Sequence, residues 1–225
     1  VGPANRPPAG CATLYASARE AERQIGRIGL EIGAMTSIDV IASALGDEQP
    51  QLGQMSSPDG ALTLLFCDIE EAGEIREEIG EERSLELLRD HRTIVEQVVR
   101  HHSGTVAKSH DDGFMVAFDS AHAALRCAID LQSSLADRTV PGSERPLRLR
   151  VGLHTGFVIT NEEEMYGRNV VLGARIAGRA QGGEIIVSSV LKEYTESDPT
   201  FRFEERGEHR FKGVLGEHHI FAVLS

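Results

Sequence analysis

Val106–Phe118 reads VAKSHDDGFMVAF. Val106 and Ala107 end one apolar run, and Met115, Val116, Ala117 and Phe118 begin the next. Asp-Gly between two apolar runs predicts a β-hairpin, because glycine accepts the positive φ that a tight turn demands. The predicted strands are 105–108 and 114–118. The tip then presents Asp111 and Asp112 to water. Two such carboxylates repel one another, and a hard divalent cation with oxygen ligands relieves that repulsion. The plainer alternative is a solvated acidic turn.

Upstream, Leu62–Ile69 reads LTLLFCDI, a continuous apolar run closed by Asp68. A run of this kind predicts a buried central strand. An ionised Asp at the end of a buried strand needs a partner. Asp68 beside Asp112 makes a two-carboxylate metal site on neighbouring strands.

The rest of the chain supplies helices and further strands. Residues 1–10 are rich in Pro and Gly and read as irregular. Apolar residues at steps of three and four predict a helix over 11–35, weakened by Gly26, Gly29 and Gly33. Ser37 or Asp39 caps a second short helix running to Leu45, with Ile38, Val40, Ile41 and Leu45 on its apolar side. A polar stretch over 46–60, with Pro50 and Pro58, reads as a linker. Helices follow over 70–80 and 82–102, the second burying Leu85, Leu88, Ile94, Val95 and Val98 and ended by Gly104. Another runs over 120–135 from a Ser120 cap. Strict alternation of Leu147, Leu149, Val151 and Leu153 gives a strand, which Gly156 turns into 157–160. An acidic loop over 161–164 leads into a helix over 166–180. Then come a strand over 184–188, a short helix over 190–195, and three strands over 201–205, 209–212 and 218–223. Strands alternating with long helices give an α+β or α/β domain. A ferredoxin-like βαββαβ core with carboxy-terminal β extensions, preceded by a short helical amino-terminal segment, fits this order. The division expected is 1–57, an amino-terminal segment for regulation or dimerisation, and 58–225, the main domain.

Composition narrows the function classes. A formal charge of −12 argues against a nucleic-acid partner. Local cations such as Lys108, Arg168, Arg175 and Arg179 still suit a small phosphate ligand. Cys11, Cys67 and Cys127 form neither a ligand cluster nor a disulfide framework, which fits a reducing, cytoplasmic setting. No apolar run reaches the ~18 residues of a membrane span. The chain begins at Val1 rather than Met and is read as a fragment or a processed form.

Six segments occur in a telling order: LTLLFCDI, KSHDDGF, RLRVGLHTG, YGRNVVLGARIAGRA, GGEIIVSS and FKGV. Together, over residues 61–225, they resemble the class III nucleotidyl cyclases. The resemblance implies that fold and a reaction in which ATP becomes 3′,5′-cyclic AMP and pyrophosphate. It implies two metal ions, Mg²⁺ or Mn²⁺, between Asp68 and Asp112, with a carbonyl from Ile69. It places Lys108 and Glu164 where the adenine is read, Arg175 on the charge of the transferred phosphate, and Lys212 on the triphosphate. It also implies a homodimer with sites shared between two chains, the metals coming from one chain and those four residues from the other.

Three positions depart from the family pattern. Val171 stands where an Asn precedes the arginine by four residues, and Asn169 lies on another helix face. Glu71, Ala72 and Gly73 replace a Gly-initiated triphosphate loop, and Glu71 there adds repulsion. Asp111 replaces a Gly. These departures keep two readings open: an adenylate cyclase of weak or conditional turnover, and an inactive cyclase homology domain that binds nucleotide or metal as a dimeric sensor or scaffold.

Overall fold

The computed structural model describes residues 36–44, 61–157 and 163–224, with backbone alone for 44, 157 and 163–167. The helix expected over 11–35, the linker over 46–60 and the side chain of Glu164 lie outside the described residues. Those residues hold seven strands and six helices.

Strand β1 (Ala61–Ile69) is buried at all nine positions. It can be so apolar because both faces of its sheet are covered. The other strands are β2 (Thr105–His110), β3 (Gly113–Phe118), β4 (Leu149–Phe157), β5 (Ile185–Ser188), β6 (Arg202–His209) and β7 (His218–Leu224). They form one sheet in the order β2-β3-β1-β4-β5-β7-β6. The first four pair antiparallel, with β1 between β3 and β4. This is the ferredoxin-like arrangement expected. β5 then joins β4 in parallel over three register pairs, Val151↔Ile185 to Leu153↔Val187. β7 and β6 close the sheet as antiparallel additions.

The helices are α1 (Ser37–Ala44), α2 (Ala72–Ile79), α3 (Glu81–His101), α4 (Ala121–Leu135), α5 (Glu163–Ala177) and α6 (Ser189–Thr195). Alternate residues of β1 serve two cores, as the period of two requires. Leu65, Cys67 and Ile69 join Val95 and Val99 of α3, Leu125 and Leu131 of α4 and Leu191 of α6. Leu62, Leu64 and Phe66 join Ile38 and Ile41 of α1 and Val170 and Ala174 of α5. α5 lies so close to β4 that a Cβ on Gly152 would stand 2.2 Å from the Ala177 Cα. A smaller cluster of Leu172, Ile176, Phe211 and Ile220 ties α5 to the carboxy-terminal strands.

Several expectations are corrected. In α3 the buried face is Ser84, Leu87, His91, Val95 and Val99, while Leu85 is 46% exposed. Ile94 and Val98 are only partly buried. The helix is turned so that His91 meets the Phe114 ring edge-on and reaches the Asp112 carbonyl at 3.0 Å. After α3 it is Ser103, not Gly104, that takes the left-handed φ of 59°. Gly104 is required for another reason: a Cβ there would meet the Phe118 ring at 2.5 Å. Gly156 does not turn the chain but sits inside β4, paired with Leu62. Residues 163 and 164 belong to α5 rather than to a loop. The three strands expected over 201–223 are two, because 202–209 runs on as one strand with a bulge between Glu205 and Glu208. Lys212 therefore stands in the connection to β7 and not on an edge strand.

Candidate active site

β1 pairs with β3 as far as Cys67↔Phe114, so its last residues arrive beside the β2–β3 turn. Asp68 and Asp112 meet there, 1% and 4% exposed. The expected water-facing pair of acids at the tip is thus half right. Asp111 is exposed, and Asp112 is turned inward. The Asp112 Oδ2 accepts the Ile69 N–H at 2.8 Å, and its Oδ1 accepts the Ser37 hydroxyl at 2.5 Å. The turn's left-handed residue is Asp111, with φ 49°, rather than a glycine. Gly113 is needed for space, because a Cβ on it would stand 2.7 Å from the Ser37 Cβ.

Asp68 faces Arg150 across the β1–β4 register. Arg150 grips it with two donors, Nε at 2.9 Å and a terminal nitrogen at 2.5 Å. Such a two-pronged pair ordinarily holds a carboxylate low. Burial nevertheless pushes the Asp68 carboxyl up to about 6, with Arg150 opposing and Asp112 and Asp39 adding to the rise. Asp68 thus stays costly to ionise even beside its guanidinium partner. Buried oxygen donors fit a hard divalent cation. Among the described residues no three or more His, Cys, Asp or Glu gather as a metal cluster. A cation here would rest on Asp68, Asp112 and backbone oxygen, and would compete with Arg150.

Two of the departures have a structural answer. Glu71 takes a left-handed φ of 56°, the kind of conformation that favours glycine. Its carboxylate is ion-paired with Arg145, which also draws Glu78 at 3.6 Å and Glu74 at 3.9 Å. Three carboxylates thus share one guanidinium there. Asp111 lies with Arg76 at 3.9 Å and His110 at 3.6 Å, on the exposed side of the turn. It is not gathered with Asp68.

Arg175, on α5, is 40% exposed and pairs with Asp39 of α1 at 2.7 Å. Val171, one turn before it, is half-buried. Lys108 is half-buried on β2 opposite Met115, beyond a register shift at Val106. Lys212 is exposed next to Phe211, which anchors the β6–β7 connection on Leu172 and Ile176. Asp68, Ile69 and Asp112 thus meet at one point, and α1 spans from there to Arg175.

Four participants escaped the sequence reading. Arg150 could have been found, since a buried Asp68 demands a cation and Arg150 alternates with Leu149 and Val151 on β4. Ser37 and Asp39 gave only a capping signal. His154 is buried on β4, with Nδ1 3.0 Å from the Ser188 hydroxyl and Nε2 3.2 Å from Asn169 Oδ1. Burial drives its pKa down to about 4, with Asn169 opposing. That contact ties Asn169 toward β4, and a Cβ on Gly156 would strike its amide at 2.6 Å.

Comparison with known proteins supports the same reading. The family described as "Adenylate and Guanylate cyclase catalytic domain" matches residues 55–224. A putative adenylate cyclase of Rhizobium meliloti is 32% identical over 132 residues, covering 58% of this chain and 22% of that protein. An uncharacterized Mycobacterium tuberculosis protein is 34% identical over 134 residues, 59% of this chain and 44% of its own length. The chain thus spans less than half of these curated relatives. The adenylyl cyclase CyaB of P. aeruginosa superposes with a TM-score of 0.65 at 24% identity, covering 73% of this chain and 94% of that one. The guanylyl cyclase Cya2 superposes at 0.61 with 26% identity, over 72% and 91%. On the family match, and with the fold and the two buried acids in agreement, this chain belongs to the class III adenylate and guanylate cyclases.

Proposed function

We propose that the domain is an ATP-using nucleotidyl cyclase that works as a homodimer. The observation that carries this is the meeting of Asp68 and Asp112, two buried carboxylates of which one is paired with Arg150, at the end of β1. Divalent ions held by Asp68, Asp112 and the Ile69 carbonyl would supply the charge that favours ionisation of the ribose hydroxyl and offsets the phosphates. In the reaction the ribose 3′-oxygen bonds to the α-phosphorus. The bond from that phosphorus to the β-phosphate oxygen breaks, pyrophosphate leaves, and the hydroxyl proton passes to solvent. Arg175 carries a fixed positive charge to the phosphoryl oxygens as theirs builds. Lys212, exposed on its loop, pairs with the triphosphate. Lys108 and Glu164 read the base: a carboxylate accepts from the adenine exocyclic amine, which favours ATP over GTP. The class III resemblance implies that the site is completed by a second copy, with twofold symmetry giving two such sites.

The second reading, a domain that binds without turnover, draws on Val171 and on the engagement of Asp68 and Arg175 by Arg150 and Asp39. One experiment separates the two. Purified protein is supplied with ATP or GTP and Mg²⁺ or Mn²⁺, and product is followed by chromatography. Cyclic AMP should form with the parent chain and be lost with Asp68→Ala and with Lys108→Ala. Mixing those two variants should restore part of the activity, since a mixed dimer retains one intact shared site. Nucleotide bound but never converted would favour the second reading.

A further inference from the structure

Helix α1 lies across the residues assigned to chemistry. We propose that it is an internal gate, seated on the residues this chain gives to the two shared sites, which must leave before either site can be used. The inference rests on the nucleotide reading given above.

The contacts are specific at both ends. The Ser37 hydroxyl donates to Asp112 Oδ1 at 2.5 Å, taking one oxygen of the second acid. Two residues on, Asp39 Oδ1 accepts from Arg175 at 2.7 Å, so a carboxylate meets the guanidinium intended for a phosphate. The polar groups of α1 thus imitate one charge at each of the two shared sites. A hydroxyl donor meets the acid that awaits a cation, and an anion meets the arginine that awaits a phosphoryl group. Between them Ile38 and Ile41, 1% and 0% exposed, press onto Phe66 and Met115. The fit at Gly113 leaves no room for a Cβ.

The same helix is built to let go. It has eight residues, too few to persist alone in water. Its start depends on a reciprocal cap: Asp39 N–H donates to Thr36 Oγ1 at 3.2 Å, and Thr36 N–H donates to Asp39 Oδ2 at 3.3 Å. Asp39 therefore uses one oxygen to hold the helix together and the other to hold it on Arg175. Losing the Arg175 contact loosens the cap as well, so release and melting are coupled. Sixteen residues, 45–60, separate α1 from β1, enough chain for α1 to leave without pulling on the strand. A nucleotide with its cations binds only the open form, and its apparent affinity is reduced by the fraction open.

The test uses the full chain with Ser37→Ala/Asp39→Ala, and separately Ile41→Asp, which expels the helix by burying a charge. Hydrogen exchange of residues 37–44 reports the gate, and exchange of β1 and β3 confirms that the sheet stays folded. Titration with a fluorescent ATP analogue and Mn²⁺ reports the site. Expected are fast exchange in α1 alone and an affinity about 10-fold higher than the parent's in both variants. Saturating analogue should also speed α1 exchange in the parent. Unchanged affinity in variants whose α1 exchanges freely overturns the gate and leaves the nucleotide reading standing. Slow parent α1 exchange under saturating analogue overturns it equally. An open α1 with no analogue binding in any form overturns the nucleotide reading, and the gate with it.

Discussion

Val171 lies one helical turn before Arg175, so the two side chains point to the same side of α5. It is half-buried and belongs to none of the buried clusters. An asparagine there would keep its amide within reach of water, so the desolvation cost of a buried amide does not apply. Val171→Asn should raise kcat by up to about 10²-fold, the usual weight of one transition-state donor, and change ATP affinity much less. Steady-state kinetics and a thermal melt on the same variant check both halves. His154 carries a different prediction. Its folded pKa of about 4 lies below the ordinary 6.5, so the unfolded chain takes up the proton first. Its contribution to stability is complete above pH 6.5, declines as pH falls, and is gone near pH 4. Asp68, raised from 3.8 to about 6, works in the opposite sense over nearly the same range. The parent's net slope is therefore shallow, and the His154 share appears only by difference. Relative to His154→Gln, the parent should lose roughly 3 kcal/mol of unfolding free energy between pH 6.5 and 4. Urea melts at several pH values measure it, and parallel curves would count against a buried neutral imidazole.

At the scale of elements, the hairpin, the central strand and the Ser120 cap were legible because their signals are local. Ser120 does accept the Ala123 N–H, and β1 reads directly as an apolar run. What was not legible depends on register and rotation. The sequence of α3 has apolar residues on two adjoining faces, and only contact with Phe114 and Asp112 decides that Leu87 and His91 go inward while Leu85 stays out. Asp68 and Arg150 are far apart in sequence and meet only because β1 and β4 pair in one register. The docking of α1 has no sequence signal at all, since its cap would read the same wherever the helix lay. The approach of α5 to β4 is equally silent except through Gly152. Gly152→Ala would drive a methyl into the Ala177 backbone at 2.2 Å. The expected loss is about 1–3 kcal/mol, as for other overpacked sites. Because α5 carries Arg175, nucleotide affinity should fall along with the denaturation midpoint. A variant as stable as the parent would show that α5 can move outward freely.

For the whole molecule, the family order of motifs anticipated the fold: five of the six fell on strands, a hairpin or a helix, and FKGV fell on the β6–β7 connection. It could not say which residues engage the site within one chain. Arg150, Ser37 and Asp39 occupy positions that composition leaves neutral, and they acquire meaning only through distances. The parallel junction of β4 with β5 has a further consequence. Nine register pairs join β1 to β4, but only three join β4 to β5. Gln132 stitches the junction from outside, donating to the Leu149 carbonyl at 3.0 Å and the Glu184 carbonyl at 3.1 Å. Beyond it, β5 and β7 share a small cluster with α5, while Ile185, Val187 and Val223 enter the main core. The sheet's thinnest line of pairing therefore runs beside β5, with three pairs to β4 and three to β7. Partial opening along it frees a carboxy-terminal leaf bearing Lys212, while Asp68 and Asp112 stay seated in the antiparallel half. If the proposed roles hold, a chain near its limit of stability would lose its grip on the far end of a triphosphate before it lost its affinity for cations.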